Sequence, residues 1–424
     1  MTAFLLGAFS GGFILGWPVV LAIMIPAIAY VLLSGFPIEL IGQRMAYALD
    51  SFPLVAVPVF IFVGNLMNQA GITERIFRFA TTLVGRFPGG LAQVNVFASL
   101  IFSGMSGAAL ADIGGLGRIE VKAMTANGFR RDFSGAVTCA SAIVGPIFPP
   151  SIPLIIYGSV TNVSIIQLLL AGVVPALICV ALLMITVAVL AYVKNLPRSA
   201  RWPRMDELWA DFLPAIPALL TPVLLIAGML FGFFTPTEAA SVTVVYVLFI
   251  SGVVYRTLTW RHLLASAYET LKSTSAILII IAAAALFGWI MAIEQIPQTL
   301  ARTLLSLSTD PLMLLLIVNV LLLIVGMFLD STTATLLVIP IIAGPLHLAG
   351  VDPVHLGIVA IFNLMLGLLT PPMGLALFLI SDVAKITMRA VLRELLPFYI
   401  PLFATLAIIT LFPAVSLWLP SLMR

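Results

Sequence analysis

Between Phe133 and Val193 the chain contains no Asp, Glu, Lys or Arg, and this gap constrains it more than any motif. A membrane-spanning helix needs about 20 apolar residues, so the stretch holds two or more spans. Further uncharged gaps run from Met1 to Ile38, Ser51 to Thr73, Phe87 to Ala111, Phe212 to Thr237, Ala239 to Tyr255, Ser273 to Ile293, Pro311 to Leu329 and Leu395 to Met423. Together they predict about ten to twelve membrane-embedded helical segments. The apolar runs are continuous, which suits helices and not the period-2 strands of a barrel. Only 9% of residues are charged and 62% are hydrophobic; a soluble domain carries roughly 25% charged residues. The bilayer is the solvent of such a chain.

The same patterning places the ends of the segments. Lys194, Arg198, Arg201 and Arg204 cluster in the polar stretch Lys194–Asp211, which the positive-inside rule assigns to the cytoplasm. The N-terminus lacks a charged n-region and reads as a first membrane helix interrupted near Gly16-Trp17-Pro18, not as a cleaved signal. A net charge of +3 gives no reason to expect a nucleic-acid partner. Cys139 and Cys179 lie in apolar runs, and His262, His347 and His355 are the only histidines. No Cys/His metal spacing exists, so no transition-metal site and no cofactor are expected.

The chain divides at the polar stretch into halves that carry the same features. In the first, Ser103-Gly104-Met105-Ser106-Gly107-Ala108-Ala109 interrupts a hydrophobic run, and Gly145-Pro146-Ile147-Phe148-Pro149-Pro150-Ser151 follows about forty residues later. In the second, Gly326-Met327-Phe328-Leu329-Asp330-Ser331-Thr332-Thr333-Ala334 is followed at a similar distance by Gly367-Leu368-Leu369-Thr370-Pro371-Pro372-Met373-Gly374. Proline removes a backbone donor and clashes with the preceding turn. The residue before it is pushed to extended geometry. Both Pro-Pro segments are therefore expected to be unwound. Irregular backbone at membrane depth survives only when buried in protein or lining a cavity. Short Ser-Gly stretches alone are common in helix packing, but paired breaks in two halves mark a transporter site. Half-helices ending there present carbonyls suited to Na⁺, and those starting there present N–H groups suited to an anion.

At these residues the chain resembles the large membrane subunit of the tripartite ATP-independent periplasmic (TRAP) transporters, the dicarboxylate-transporter M-subunit family. The resemblance covers nearly the whole chain. Besides the four segments above, it is carried by Phe52–Met67, Gly89-Gly90-Leu91-Ala92-Gln93-Val94-Asn95-Val96, Asp112, Ile152-Pro153, Asp352-Pro353-Val354-His355-Leu356-Gly357 and Asn363–Gly374. Two departures are the Met105 insertion in the first tip and Ile113 where the family often has Thr.

The resemblance implies an all-α integral membrane protein with two inverted repeats, each with a re-entrant hairpin and a broken helix, working as an elevator. It implies scaffold helices and a first arm over 1–50, a first transport repeat over 51–163, scaffold and a second arm over 164–272, a second transport repeat over 273–383 and a C-terminal scaffold helix over 384–424. It implies a small four-helix membrane subunit, a periplasmic binding protein, an organic anion substrate and Na⁺ as coupling ion, in a bacterial inner membrane. One Na⁺ site would use Ser103, Ser106, Gly145, Phe148 and Pro150; the second would use Gly326, Ser331, Thr332, Gly367, Thr370 and Met373. Ser141, Pro149, Ser151, Asp330 and Pro371 would lie near the substrate.

Other residues have local readings. Asp330 precedes Ser331 as an N-cap would, and Thr235-Pro236-Thr237-Glu238 has the form of a helix start. Asp112 is expected to pair with Arg118 across nearly two helical turns, or to serve function as a membrane carboxylate. Arg118, Lys122, Arg130 and Arg131 mark a cytoplasmic hairpin end. Glu39–Asp50 and Trp260–Lys272 read as matching amphipathic helices at the membrane surface. Two other functions compete. Gly104-Met105-Ser106-Gly107 matches the Gly-x-Ser-Gly of intramembrane serine proteases, but that chemistry needs a histidine beside the serine. A stand-alone Na⁺/carboxylate symporter of the divalent-anion family would carry Ser-Asn-Thr at its tips, which Ser103–Gly107 and Asp330–Thr333 do not.

Overall fold

The computed structural model describes residues 2–197, 205–308 and 310–422, and among them there are helices and no strands. Arg198, Arg201 and Arg204 of the polar stretch lie outside the described residues.

The first half opens with α1 (Thr2–Ile14) and α2 (Val19–Leu33), separated at Gly16-Trp17-Pro18 as expected. The amphipathic α3 (Glu39–Leu49) then meets α4 (Ala56–Gln69), and the two are bent by 68° around Pro53. After α5 (Ile72–Val84), α6 (Leu91–Ser106) runs to the first small-residue tip, and the chain returns through α7 (Ala109–Gly114) and α8 (Leu116–Ala126). The first broken helix is α9 (Arg131–Ser141), a single 3-10 turn, the Pro-Pro break and α10 (Ile152–Thr161). Helices α11 (Ile165–Ala171) and α12 (Val173–Val193) close the half.

The second half follows the same order after α13 (Met205–Leu230) and α14 (Pro236–Phe249). Here α15 (Trp260–Ile293) joins the amphipathic segment and the following span in one 34-residue helix. Then come α16 (Ile296–Leu307), the hairpin α17 (Pro311–Phe328) and α18 (Ser331–Leu348), and the broken pair α19 (Pro353–Leu368) and α20 (Leu375–Ala384). Helices α21 (Met388–Leu411) and α22 (Ala414–Ser421) end the described chain.

Seven helical segments among the described residues are long and apolar enough to cross a membrane, or eight if the bent α3–α4 pair counts as one span. Five shorter apolar helices accompany them, and these are the tips and broken pieces together with α2. A half-span is too short to cross alone, so these pieces must be enclosed by the longer helices. The packing shows this. Helix α19 lies against α17, α18 and α21, and is almost wholly buried from Val354 to Leu368. Helix α9 lies against α6, α8, α20 and α21. Around this inner group, α4 packs on α14 and α15, and α5 packs on α13.

The outer surface is apolar, as a lipid-facing surface must be. Leu33, Ile185, Val189, Val193 and Ile400 are exposed. Trp17, Trp209, Trp260 and Trp418 are exposed near helix ends, where indole rings favour the headgroup region. Without a hydrophobic drive between helices in lipid, close approach comes from small residues. Gly326 of α17 and Gly367 of α19 meet backbone to backbone; a Cβ on Gly367 would stand 2.4 Å from the carbonyl carbon of Gly326.

Candidate functional site: a cavity between two hairpin tips and two breaks

Both Pro-Pro segments are unwound, as their chemistry requires, and both Pro-Pro bonds are cis. Each is fastened to its hairpin by a main-chain hydrogen bond. The Ile152 N–H, two residues past Pro150, donates to the Gly107 carbonyl (3.2 Å). The Gly374 N–H, two residues past Pro372, donates to the Met327 carbonyl (3.2 Å). Gly107 has φ +62°, and a Cβ there would meet the Pro150 carbonyl oxygen at 2.5 Å, so only glycine fits this tip.

Between the tips lies a cavity of about 430 Å³. Its wall takes Ala108–Ala111 from the first tip and Asp330, Ser331 and Thr332 from the second. Pro146, Ile152 and Pro153 come from the first break, and Leu368 from the second. Helix α4 contributes Gly64, Asn65 and Asn68, and α15 contributes Ser273 and Ile277. A few polar groups thus line a mostly apolar hollow, which is the usual form of a small-molecule site.

The predicted residues divide. Asp330, Ser331 and Thr332 line the cavity. Asp330 is also the N-cap of α18, accepting from the Thr333 N–H (3.1 Å) and bonded to its hydroxyl. Gly326 and Gly367 form the helix crossing beside it, and the Thr370 hydroxyl donates to the Leu366 carbonyl (2.8 Å). In the first break Gly145, Pro149 and Pro150 are buried, and the half-buried Phe148 ring lies against Gly104. Ser151 caps α10, accepting from the Leu154 N–H (3.2 Å), and its hydroxyl donates to the Pro146 carbonyl. Pro371 is half-buried and Met373 exposed, and neither lines this cavity. The side chains of Ser103, Met105 and Ser106 lie outside the described residues.

Ser141 does not line the cavity. It is buried between α6 and α9, donating to Asn95 Oδ1 (2.8 Å) and accepting from the Ser99 hydroxyl (3.0 Å). Pairing of Asp112 with Arg118 is also not formed. The two residues stand on separate helices, because the chain turns at Gly115 (φ −94°, ψ −89°) between α7 and α8. Asp112 is buried and Arg118 exposed. The capping box at Thr235 and Glu238 is present.

Asn65 and Asn68 were missed as site residues. They are polar groups three residues apart in an apolar run, hence on one face of α4. That spacing was the available signal. The Asn65 amide donates to the Thr270 hydroxyl (3.1 Å), tying α4 to α15. Two of the three histidines on which the protease reading could draw have other partners. The His355 ring is bonded to the Ser416 hydroxyl (2.8 Å) and that of His262 to the Thr257 carbonyl (3.1 Å), each in its own neighbourhood.

The family model for the DctM component of the tripartite ATP-independent periplasmic transporters matches residues 2–415. The chain belongs to the TRAP transporter large-permease family. It is 45% identical to the sialic acid TRAP transporter large permease protein SiaM of Vibrio cholerae, over 96% of this chain and 95% of that one. It is 42% identical to the sialic acid TRAP transporter permease protein SiaT of Haemophilus influenzae, over 90% of this chain and 62% of that longer protein. Among solved structures it is similar to the YdaH transporter of Alcanivorax borkumensis, with a TM-score of 0.65, 14% identity and coverage of 90% of this chain and 88% of that one. The last likeness concerns the fold. The chain is thus a transporter permease and not an enzyme, a multi-pass protein of a bacterial inner membrane. TRAP large permeases work with a substrate-binding protein and a small membrane subunit.

Proposed function

We propose that this chain is the large transmembrane subunit of a Na⁺-coupled, binding-protein-dependent importer of an organic anion, moving its substrate by an elevator motion. The observation that carries this is the cavity walled by both hairpin tips and both breaks. Such a junction of half-helices is where secondary transporters hold substrate and coupling ions. Substrates of the sialic acid type are favoured, because the two relatives described above are named for sialic acid.

In this reading Asp330, Ser331, Thr332, Asn65 and Asn68 orient the polar parts of the substrate. The N–H groups opening α18 face its carboxylate. One Na⁺ lies between Ser103, Ser106 and the carbonyls of Gly145, Phe148 and Pro150. The other lies between Gly326, Ser331, Thr332 and the second break at Gly367, Thr370 and Met373. The transport repeats over 51–163 and 273–383 are the moving body, and the scaffold segments over 1–50, 164–272 and 384–424 are the frame. A small four-helix subunit extends the frame, and a periplasmic protein delivers the anion.

The test is uptake of labelled sialic acid into proteoliposomes holding this chain with its small subunit, with binding protein outside. Uptake should require both a Na⁺ gradient and the binding protein. Thr370→Ala and Ser106→Ala should shift half-maximal uptake to several-fold higher Na⁺, with partial rescue at saturating Na⁺. Unchanged Na⁺ dependence in both variants removes the ion-site assignment. Uptake by this chain without a binding protein replaces the tripartite reading with a stand-alone symporter.

A further inference from the structure

Next to the first hairpin tip, but not among the residues lining the cavity, two carboxylates are shut inside the protein. Asp112 of α7 is 1% exposed and Glu120 of α8 is 0% exposed. Among the described residues, none of their four carboxylate oxygens has a hydrogen-bond partner. The two groups lie within electrostatic reach of each other, with Ser99 beside Asp112 and Thr138 beside Glu120.

Among the described residues, the elements packed around them supply no compensating cation. Helices α7 and α8 pack on α6, α9, α20 and the 3-10 turn after α9. The described part of α6 and that turn carry no charged residue. On α9, Arg131 and Asp132 stand at its exposed start; on α20, Asp382 is exposed and paired with Lys385 (2.8 Å). Arg118 and Lys122 of α8 itself point outward. The polar side chains near the pair also bond to one another. The Asn95 amide donates to Thr138 Oγ1 (2.6 Å), and Ser141 bridges Asn95 and Ser99.

Two ionised carboxylates in such a place would each lose hydration and repel the other. Protonation of one of them removes one charge and with it the repulsion. We propose that Asp112 and Glu120 form a proton-binding site of the first hairpin, holding at least one exchangeable proton while α7 and α8 are packed against α6 and α9. Proton binding converts one carboxylate to a carboxylic acid, with no other bond made or broken. Loss of the proton leaves two adjacent anions and loosens the packing next to the tip. The site therefore makes the hairpin's closure sensitive to alkaline pH, separately from the Na⁺ and substrate sites.

The test is infrared spectroscopy of the full chain in lipid nanodiscs, without substrate, binding protein or ion gradient. The other buried carboxylate among the described residues, Glu394, is paired with Lys194. The wild-type protein should show a protonated-carboxyl stretch at neutral pH that shifts in D₂O and disappears reversibly on alkalinisation. Glu120→Gln and Asp112→Asn should each weaken or remove it. Absence of the band in the wild type at neutral pH overturns the proposal whatever the variants do, and so does a band that keeps its full intensity in both variants. Neither result depends on transport, so failure here is distinct from failure of the importer reading.

Discussion

The two hairpins do the same job with different local chemistry. The second returns in one unbroken helix, α18, whose first turn is capped by Asp330. The first returns in two pieces, α7 and α8, split at Gly115, with Ala108 at its N-cap position and no side-chain cap. Its neighbouring break compensates. Ser151 caps α10 by side chain, whereas the corresponding start of α20 is Gly374 in a left-handed conformation with no side-chain cap. Each half thus has one side-chain cap at the site, on the hairpin in the second half and on the break in the first. A repeat preserves the number of satisfied helix ends at its centre more faithfully than the residues that satisfy them.

The comparison breaks most sharply at the glycines. Gly367→Leu forces side-chain volume between the Gly326 and Gly367 backbones, and overpacking costs roughly 1–3 kcal/mol or more. Thermal unfolding in nanodiscs should show a larger loss for it than for Gly107→Ala, which adds one methyl against the Pro150 carbonyl. An equal or larger loss at Gly107 would make the first tip, not the second crossing, the tighter joint. Caps come next. Asp330→Ala and Ser151→Ala should each cost about 1 kcal/mol and should be additive, since each closes a different helix. Strong non-additivity in the double variant would mean that the two caps are coupled through the cavity. Smallest is Asn65→Ala, which removes one bond from α4 to Thr270 of α15. It should cost about 0.5 kcal/mol, the low end for one partly buried hydrogen bond, with a larger effect on substrate affinity than on stability, because Asn65 also lines the cavity.

What was legible in the sequence was the chemistry that acts over a few residues. Adjacent prolines cannot continue a helix, so both breaks were readable at Pro149-Pro150 and Pro371-Pro372. Asp330 before Ser331 and Thr235 before Glu238 carried their caps in plain spacing. Readings that assumed an unbroken helix failed where glycine interrupted it. Asp112 and Arg118 would share a face only if Gly114-Gly115 were helical, and the chain turns there instead. Ser141 was read from its closeness to the break, but its orientation is decided by Asn95 on another helix. The part played by Asn65 and Asn68 depends on where α4 lands against the tips, which no local spacing encodes.

The two fastenings between tip and break are made of main-chain atoms: Ile152 to Gly107 and Gly374 to Met327. No exchange of one ordinary side chain for another deletes such a bond; only proline at the donor position does. The lining of the cavity can accordingly drift from one cargo to another while the latch stays as it is. In the importer reading proposed above, selectivity is then written in side chains and the join of tip to break in the peptide backbone.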